Sequence, residues 1–288
     1  MDGWRLGCKT PASLRDASGK PMMRLDQLVV QRGLADSRSR AQALILAGRV
    51  AVEGEVVRRA GLTVGEQARV EVRADPNPYV SRGGLKLAHA LHVFDLRPRE
   101  WTVVDIGAST GGFTDCWLQA GADRVYAVDV GYGQLAWKLR QSPRVAVFER
   151  TNARWLSLAQ LDRREPVDAG SVDASFIGLK LLLGPLRSIV KAKGQLVALV
   201  KPQFEAGPKA VGKGGVVRDR RVHRDVLARV VEEAAALGWF VQQLTPSPIR
   251  GPRGNIEFLA LFGAEQSAPV AVETVVEEAW QVEDRPNG

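Results

Sequence analysis

Residues 103–113, VVDIGASTGGF, restrict the fold of this chain more than any other stretch. Two valines and an acid run into a turn of glycines and small residues, and the helical pattern FTDCWLQAG follows. Gly107, Gly111 and Gly112 let the backbone turn tightly and approach a ligand where a side chain would collide. A second apolar run, RVYAVDV at 124–130, closes on Asp129. An acid about 20 residues beyond such a glycine turn, near the end of the second strand, takes a ribose diol. A pocket for a nucleoside cofactor is the first expectation.

What the turn lacks narrows the cofactor. The dinucleotide fingerprint G-x-G-x-x-G is absent, because Ala108 and Ser109 follow Gly107 and the next glycine is Gly111. Nothing matches the phosphate-cradling G-x-x-x-x-G-K-[ST] loop either. The D-x-G-x-x-x-G-G turn that begins at Asp105 suits S-adenosylmethionine, whose methionine carboxylate and amino group replace a pyrophosphate. The plainer alternative, a glycine turn in a Rossmann-like sheet without cofactor, leaves the position of Asp129 unexplained.

The 288 residues allow one large domain and one small one, with 45% hydrophobic residues for their cores. No apolar run approaches the ~20 residues that cross a bilayer, and no secretory signal pattern opens the chain. Two cysteines, Cys8 and Cys116, cannot form a metal cluster alone; free thiols, no metal and a reducing cytoplasm are expected. Net charge is +8, yet residues 265–288 hold six acids and one arginine, a net −5. The preceding 264 residues therefore carry +13, the difference between those two values. That excess favours a polyanionic partner, although a generally basic enzyme would show it too.

Residues 1–22 read as a polar extension. From Met23 the pattern becomes compact: an amphipathic helix in RLDQLVVQRGL, a second in SRSRAQALILAG, and strand-like runs RVAVEG, GEVVRRAG and GLTVGEQARVEVR. This small α+β domain spans 23–73, and a turn-rich linker with DPNP covers 74–79. Residues 80–263 alternate strands near Val103, Val125, Val145, Val167 and Leu196 with helical stretches. A helix at 221–237 and closing strands at 240–244 and 256–262 follow. The fold class is α/β, a doubly wound, mostly parallel sheet with an antiparallel last strand. Residues 264–288 form an acidic tail with weak structure signals.

Four segments place polar residues where such a sheet builds its site: Lys86 in SRGGLKL, Asp173 in VDASFIGL, Lys201 in LVALVKPQFEAG and Glu257 in GNIEFLALF. An antiparallel last strand brings Glu257 to the same sheet edge as Lys201. With an activated methyl donor, the enzyme's task is the acceptor, and a ribose hydroxyl must lose its proton. A lysine of lowered pKa within hydrogen-bond reach can serve as base, with the acids orienting it. Methylases of exocyclic base amines usually carry [DNS]-P-P-[YFW] after strand four; here Asp173-Ala174-Ser175-Phe176 stands there, against an amino acceptor.

The stretch RLDQLVVQRGLADSRSRAQALILAGRVAVEGEVV resembles the S-four RNA-binding domain, which implies RNA held against the paired helices. Arg24, Arg38, Arg40 and Arg49 are the implied phosphate contacts; the bland reading is a solvated helix face. The segments SRGGLKL, VDIGASTGGFTDCWLQAGADRVYAVDVGYGQLAWKLR, DASFI, LVKPQFE and GNIEF resemble the TlyA-type, or hemolysin A-like, ribosomal RNA 2′-O-methyltransferases within the wider FtsJ (RrmJ) group. The resemblance implies a catalytic tetrad of Lys86, Asp173, Lys201 and Glu257. It also implies S-adenosylmethionine contacts from Asp105, Gly107, Ala108, Ser109, Gly111, Gly112, Phe113, Asp129 and, in TNAR, Asn152. Two departures stand out: Gly170 and Ser171 interrupt the fourth strand, predicting a weak one, and Gly178 replaces a serine of the family pattern.

The leading expectation is transfer of a methyl group to a ribose 2′-hydroxyl, of a cytidine in ribosomal RNA or a ribosomal subunit, by a cytoplasmic monomer without membrane partner. A non-catalytic RNA-binding assembly factor and, less well supported, a pore-forming hemolysin are the alternatives. A methyltransferase for a small molecule or protein would leave the arginine-rich first domain without a purpose.

Overall fold

The computed structural model describes residues 14–15, 21–73, 77–208, 210–212, 214–266 and 268–281. Contacts divide the chain into two compact units, Met1–Pro78 and Tyr79–Gly288. Residues 74–76 of the expected linker, Pro76 among them, lie outside the described residues, as do 1–13 and 16–20 of the extension.

The first unit runs β1 (Leu14–Arg15), β2 (Pro21–Arg24), α1 (Leu25–Gln31), α2 (Arg38–Leu46), β3 (Val50–Val52), β4 (Glu55–Val57), β5 (Thr63–Gly65) and β6 (Val70–Val72). Ser37 caps α2 by accepting from the Arg40 N–H at 3.2 Å. The apolar spacing read in the sequence points one way: Leu25, Leu28 and Val29 of α1 meet Ala41 and Ile45 of α2 over Val50, Val64 and Val70. Glu53 (φ 51°) and Gly54 (φ 86°) link the paired strands β3 and β4 in a two-residue hairpin turn that requires positive φ. One boundary differs from expectation: Met23 and Arg24 belong to β2, so the helix starts at Leu25.

The second unit comprises α3 (Gly83–Val93), β7 (Thr102–Ile106), α4 (Gly112–Gln119), β8 (Arg124–Val128), α5 (Trp137–Arg140), β9 (Val145–Phe148), β10 (Val167–Val172), α6 (Lys180–Ile189), β11 (Val190–Val200), α7 (Pro202–Glu205), α8 (Arg220–Ala236), β12 (Phe240–Pro246), β13 (Phe258–Gly263) and α9 (Val272–Gln281). The seven strands form one sheet in the order β12-β13-β11-β10-β7-β8-β9. Every pairing from β9 to β11 is parallel, and β13 runs antiparallel to both neighbours.

Strand alternation supplies the two faces. Val103, Val197, Leu199, Leu259 and Leu261 pack under α3 and α4, against Leu87, Phe113 and Trp117. Val104, Ala198, Phe258 and Phe262 face α6, α8 and α9, against Leu183, Leu186, Val226 and Val276. The chain leaves β7 toward β8 and β9 but leaves β10 toward β11, so the order reverses between β7 and β10. In such sheets the ligand crevice opens beyond the strand ends at that reversal.

Two expectations need correction. The fourth strand, β10, is not weak; it pairs along both edges. A side chain at Gly170 would come within 3.0 Å of Leu196 and 3.2 Å of Val104, so glycine there permits close packing. The Ser171 hydroxyl, fully buried, donates to Asp105 at 2.8 Å and accepts from the Trp117 indole at 2.9 Å, which makes its polarity harmless. The acidic tail likewise holds the ordered helix α9, whose Val275, Val276 and Ala279 are buried in the core shared with α8 and β12. Among the described residues no helix is long and apolar enough to cross a membrane.

Candidate active site

Two clefts open at the β7/β10 reversal. One, of about 310 Å³, is lined by Lys86, Asp173, Lys201 and Glu257 together with Gly107, Ala108, Ser109, Gly112 and Phe113. The other, of about 710 Å³, is lined by Gly107, Ser109, Asp129, Asn152 and the segment 173–178. Gly107, Ser109, Asp173 and Ser175 belong to both, so the two cavities share a wall.

The four polar residues reach the smaller cleft from four elements. Lys86 sits on the second turn of α3, Asp173 directly follows β10, Lys201 follows β11 and Glu257 precedes β13. The antiparallel register sets Val200 opposite Phe258, which makes Lys201 and Glu257 neighbours across the strand ends. They assemble as two ion pairs. Lys86 Nζ lies 2.5 Å from Glu257 Oε2, with the two side chains 9% and 0% exposed. Lys201 Nζ lies 2.7 Å from Asp173 Oδ1, with exposures of 8% and 23%. Burial at this depth is tolerable because each charge meets its opposite and further hydrogen bonds.

Those further bonds come from residues that sequence reasoning passed over. Lys201 also donates to Ser175 Oγ at 2.8 Å, and the Gln203 amide donates to Glu257 Oε1 at 3.0 Å. The Gln203 carbonyl oxygen is buried without a partner. Gly251 abuts the same carboxylate, since a Cβ there would stand 2.1 Å from Glu257 Oε1. Their proximity in sequence was the available signal: Ser175 is two residues past Asp173, and Gln203 two past Lys201. Phe176, held at φ 63° and 90% exposed, packs against Phe204 with centroids 4.9 Å apart.

The glycine turn is shaped as its sequence requires. Gly107 adopts φ 78°, and a Cβ there would sit 2.7 Å from the Asp173 carbonyl oxygen, filling the cradle. Asp129 accepts from the Ser109 N–H at 2.8 Å and the Gly131 N–H at 2.6 Å, which fixes its carboxylate at the rim of the larger cleft. Carboxylate oxygens have lone pairs to spare, so ribose hydroxyls remain acceptable donors. Asn152 lines the same cleft, its side-chain oxygen capping the turn Ala153–Trp155.

Two expected cofactor contacts line neither cleft. Asp105 is fully buried, bound by the hydroxyls of Thr114 at 2.7 Å and Ser171 at 2.8 Å, and burial pushes its carboxyl up to about 6. It braces the turn from beneath. Gly111, at φ 97°, lies against Leu135 and Leu139, and a Cβ there would be 2.3 Å from Leu139. It too supports the turn from the core side.

In the first unit, Arg24 and Arg38 turn toward a common partner. Asp26, fully buried, accepts from Arg24 Nε and Nη2 at 3.0 Å, from Arg38 Nε at 3.0 Å and from Gln42 at 2.8 Å. The hydrogen bonds from Arg24 hold its carboxyl well below the usual carboxylate range. Arg40 is exposed on α2, and Arg49 is half-buried where α2 passes into β3. Arg58, which the sequence reading omitted, lays its guanidinium over Gly48, within 2.6 Å of where a Cβ would be.

A seven-stranded sheet with an antiparallel last strand and a glycine cradle at its reversal point defines an S-adenosylmethionine-dependent methyltransferase. Residues 79–264 match the FtsJ-like methyltransferase model and residues 23–70 the S4 domain model. The chain belongs to the FtsJ-like methyltransferase family and carries an S4 domain. It is 49% identical over 82% of its length to YqxC of Bacillus subtilis, described as a candidate rRNA methyltransferase, covering 84% of that protein. It is 43% identical over 82% of its length to the 16S/23S rRNA (cytidine-2′-O)-methyltransferase TlyA of Mycobacterium tuberculosis, covering 87% of it. A solved Streptococcus thermophilus structure, described as a candidate hemolysin, superposes with a TM-score of 0.71 at 42% identity, over 91% of this chain and 96% of that one.

Proposed function

We propose that this protein transfers a methyl group from S-adenosylmethionine to a ribose 2′-hydroxyl of ribosomal RNA, at a cytidine, in the cytoplasm. The observation that carries the reading is the seating of Lys201 in the smaller cleft, held by Asp173 and Ser175, two residues of the wall that the clefts share. The larger cleft fits the cofactor's nucleoside: Gly107 leaves the cradle open, and Asp129 faces it with a fixed carboxylate. When bound, S-adenosylmethionine supplies a methyl group already activated by its sulfonium.

The residues of the chain act on the acceptor. Once its ammonium proton has passed to solvent, the Lys201 amine has two N–H groups and one lone pair. With Asp173 and Ser175 taking the two N–H groups, the lone pair of Lys201 turns into the smaller cleft, where it accepts the proton of the 2′-hydroxyl. Asp173 then offsets the ammonium that forms. The Lys86–Glu257 pair, braced by Gln203, forms the opposite wall, where Lys86 donates to the ribose oxygen. Arg40 and Arg49 of the S4 domain contact phosphates, while Arg24 and Arg38 contribute charge from their posts on Asp26.

The test incubates the purified protein with methyl-labelled S-adenosylmethionine and ribosomal subunits or their extracted RNA, beside Lys201→Ala. Label in RNA, reduced at least about 100-fold in the variant, supports the reading. Cofactor binding without transfer to either RNA would point to another acceptor. Absence of both would favour a non-catalytic RNA-binding factor.

A further inference from the structure

The loop between β10 and α6, residues 173–179, is a partition between the two clefts. Asp173 and Ser175 line both, and Ala174, Phe176, Ile177 and Gly178 line the larger one. Its start abuts the glycine turn, since a Cβ at Gly107 would stand 2.7 Å from the Asp173 carbonyl oxygen. The course of the loop therefore sets how an acceptor beside Lys201 stands to a donor in the larger cleft, and transfer rates respond to displacements of about 1 Å. That course is strained. Phe176 holds φ 63°, in the left-handed region, and such a backbone persists only where its surroundings over-determine it.

Three of the contacts that fix the loop come from one five-residue segment, Lys201 to Glu205. Lys201 holds Asp173 at 2.7 Å and Ser175 at 2.8 Å. Phe204 packs on Phe176, with centroids 4.9 Å apart. Glu205 closes the far end: its Oε1 accepts from the Leu179 N–H at 2.8 Å, at the start of α6, where a helix has N–H groups without partners of its own. Gly178 brings no hydroxyl to that helix start, and its Cβ position is 3.5 Å from the other oxygen of Glu205. The segment is itself anchored. Pro202 opens α7, and Arg229 of α8 donates to the Glu205 carbonyl.

We propose that Glu205 is a positioning residue for methyl transfer: by holding the end of the 173–179 loop it presents Ser175 to Lys201 and keeps the base in line with the methyl donor. The proposal rests on the methyl-transfer reading above and extends it to a residue that lines neither cleft. Glu205 is half-buried, and burial pushes its carboxyl above the usual range. The position thus calls for an acceptor oxygen more than for a charge, and glutamine supplies one.

The experiment measures kcat at saturating S-adenosylmethionine and ribosomal subunits for the full-length protein, Glu205→Ala, Glu205→Gln, Ser175→Ala and the Glu205→Ala/Ser175→Ala pair. Tm and hydrogen exchange of residues 174–182 are followed beside it. Glu205→Ala is expected to lose about tenfold in kcat and to exchange faster across that segment, with Glu205→Gln within about twofold of the unaltered protein. In the Ser175→Ala background the same alanine is expected to cost less than about twofold, because its effect passes through Ser175. A lower Tm with kcat unchanged, a loss that Glu205→Gln does not restore, or equal losses in both backgrounds would overturn the positioning role and leave methyl transfer intact. Faster exchange that Glu205→Gln restores, in a protein that passes no methyl to RNA, would sink the methyl-transfer reading and leave the hold on the loop standing. Unaltered exchange in Glu205→Ala would overturn that hold whatever the chemistry.

Discussion

Two buried groups, Asp105 and His223, hold opposite protonation preferences, and each is set chiefly by desolvation. Asp105 rises from 3.8 to about 6, so the fold favours its protonated form; that contribution is complete below 3.8 and lost as pH rises through 6. His223 falls from 6.5 to about 4, with the Arg250 charge assisting, so the fold favours the neutral ring; that contribution is complete above 6.5 and lost as pH falls through 4. Each is worth roughly 3 kcal/mol, and between pH 4 and 6 they offset one another. Replacing His223 with Gln is expected to unmask the acid, giving a Tm that falls from pH 4 to 6 in calorimetry; a profile as flat as the parent's would contradict this. The Gln203 brace is tested separately: Gln203→Leu should lower kcat about tenfold at unchanged S-adenosylmethionine affinity, because Glu257 loses a donor. Asp173, Lys201 and Glu257 stand out in the sequence as charged residues at strand ends and Lys86 in the SRGGLKL segment, and the structure brings the four together in one cleft. The sequence did not disclose Ser175 or Gln203, whose roles depend on which side chains the register brings within 3 Å.

Helix α9 shows how an element can be hidden by composition. The tail reads as acidic, yet Val272, Val275, Val276 and Ala279 recur at helical spacing, and three of them are buried. Trp280 extends the contact, donating to His223 at 3.3 Å under the guanidinium of Arg220, 5.0 Å from its ring. Ending the chain after residue 266 should therefore destabilise the second unit by about 3–6 kcal/mol, from the buried area lost, and lower its unfolding midpoint in urea. An unchanged midpoint would show that the helix packs without contributing. In β10, by contrast, the error arose from reading Gly170 and Ser171 as interruptions. Packing against Leu196 and Val104 and the bonds of Ser171 are long-range facts that no local propensity contains. The glycine turn was legible because positive φ and close approach leave so few residue choices: Gly107→Ala, with its Cβ 2.7 Å from a backbone oxygen, should abolish S-adenosylmethionine binding in calorimetry.

At the scale of the molecule, the charge of the chain becomes a statement about RNA. Arg40, exposed, should behave as a simple phosphate contact: Arg40→Ala weakens RNA binding and reduces the slope of log affinity against log salt by about 1. Arg24→Ala should also lower stability, because it withdraws two hydrogen bonds from buried Asp26. A variant of Arg40 that left the salt slope unaltered would remove that residue from the interface. The succession of strands and helices and the two-part composition were visible from sequence because periodicity, the glycine turn and the S4-like helix pair are local signals. The holding of Arg24 and Arg38 on one carboxylate was not, since it turns on the burial of Asp26. The central claim concerns the atom that receives the methyl group, and nucleoside mass spectrometry of ribosomal RNA after reaction reads it directly. 2′-O-Methylcytidine at an alkali-resistant internucleotide link, missing with Lys201→Ala, is the expected result; a methyl group on the base would contradict it.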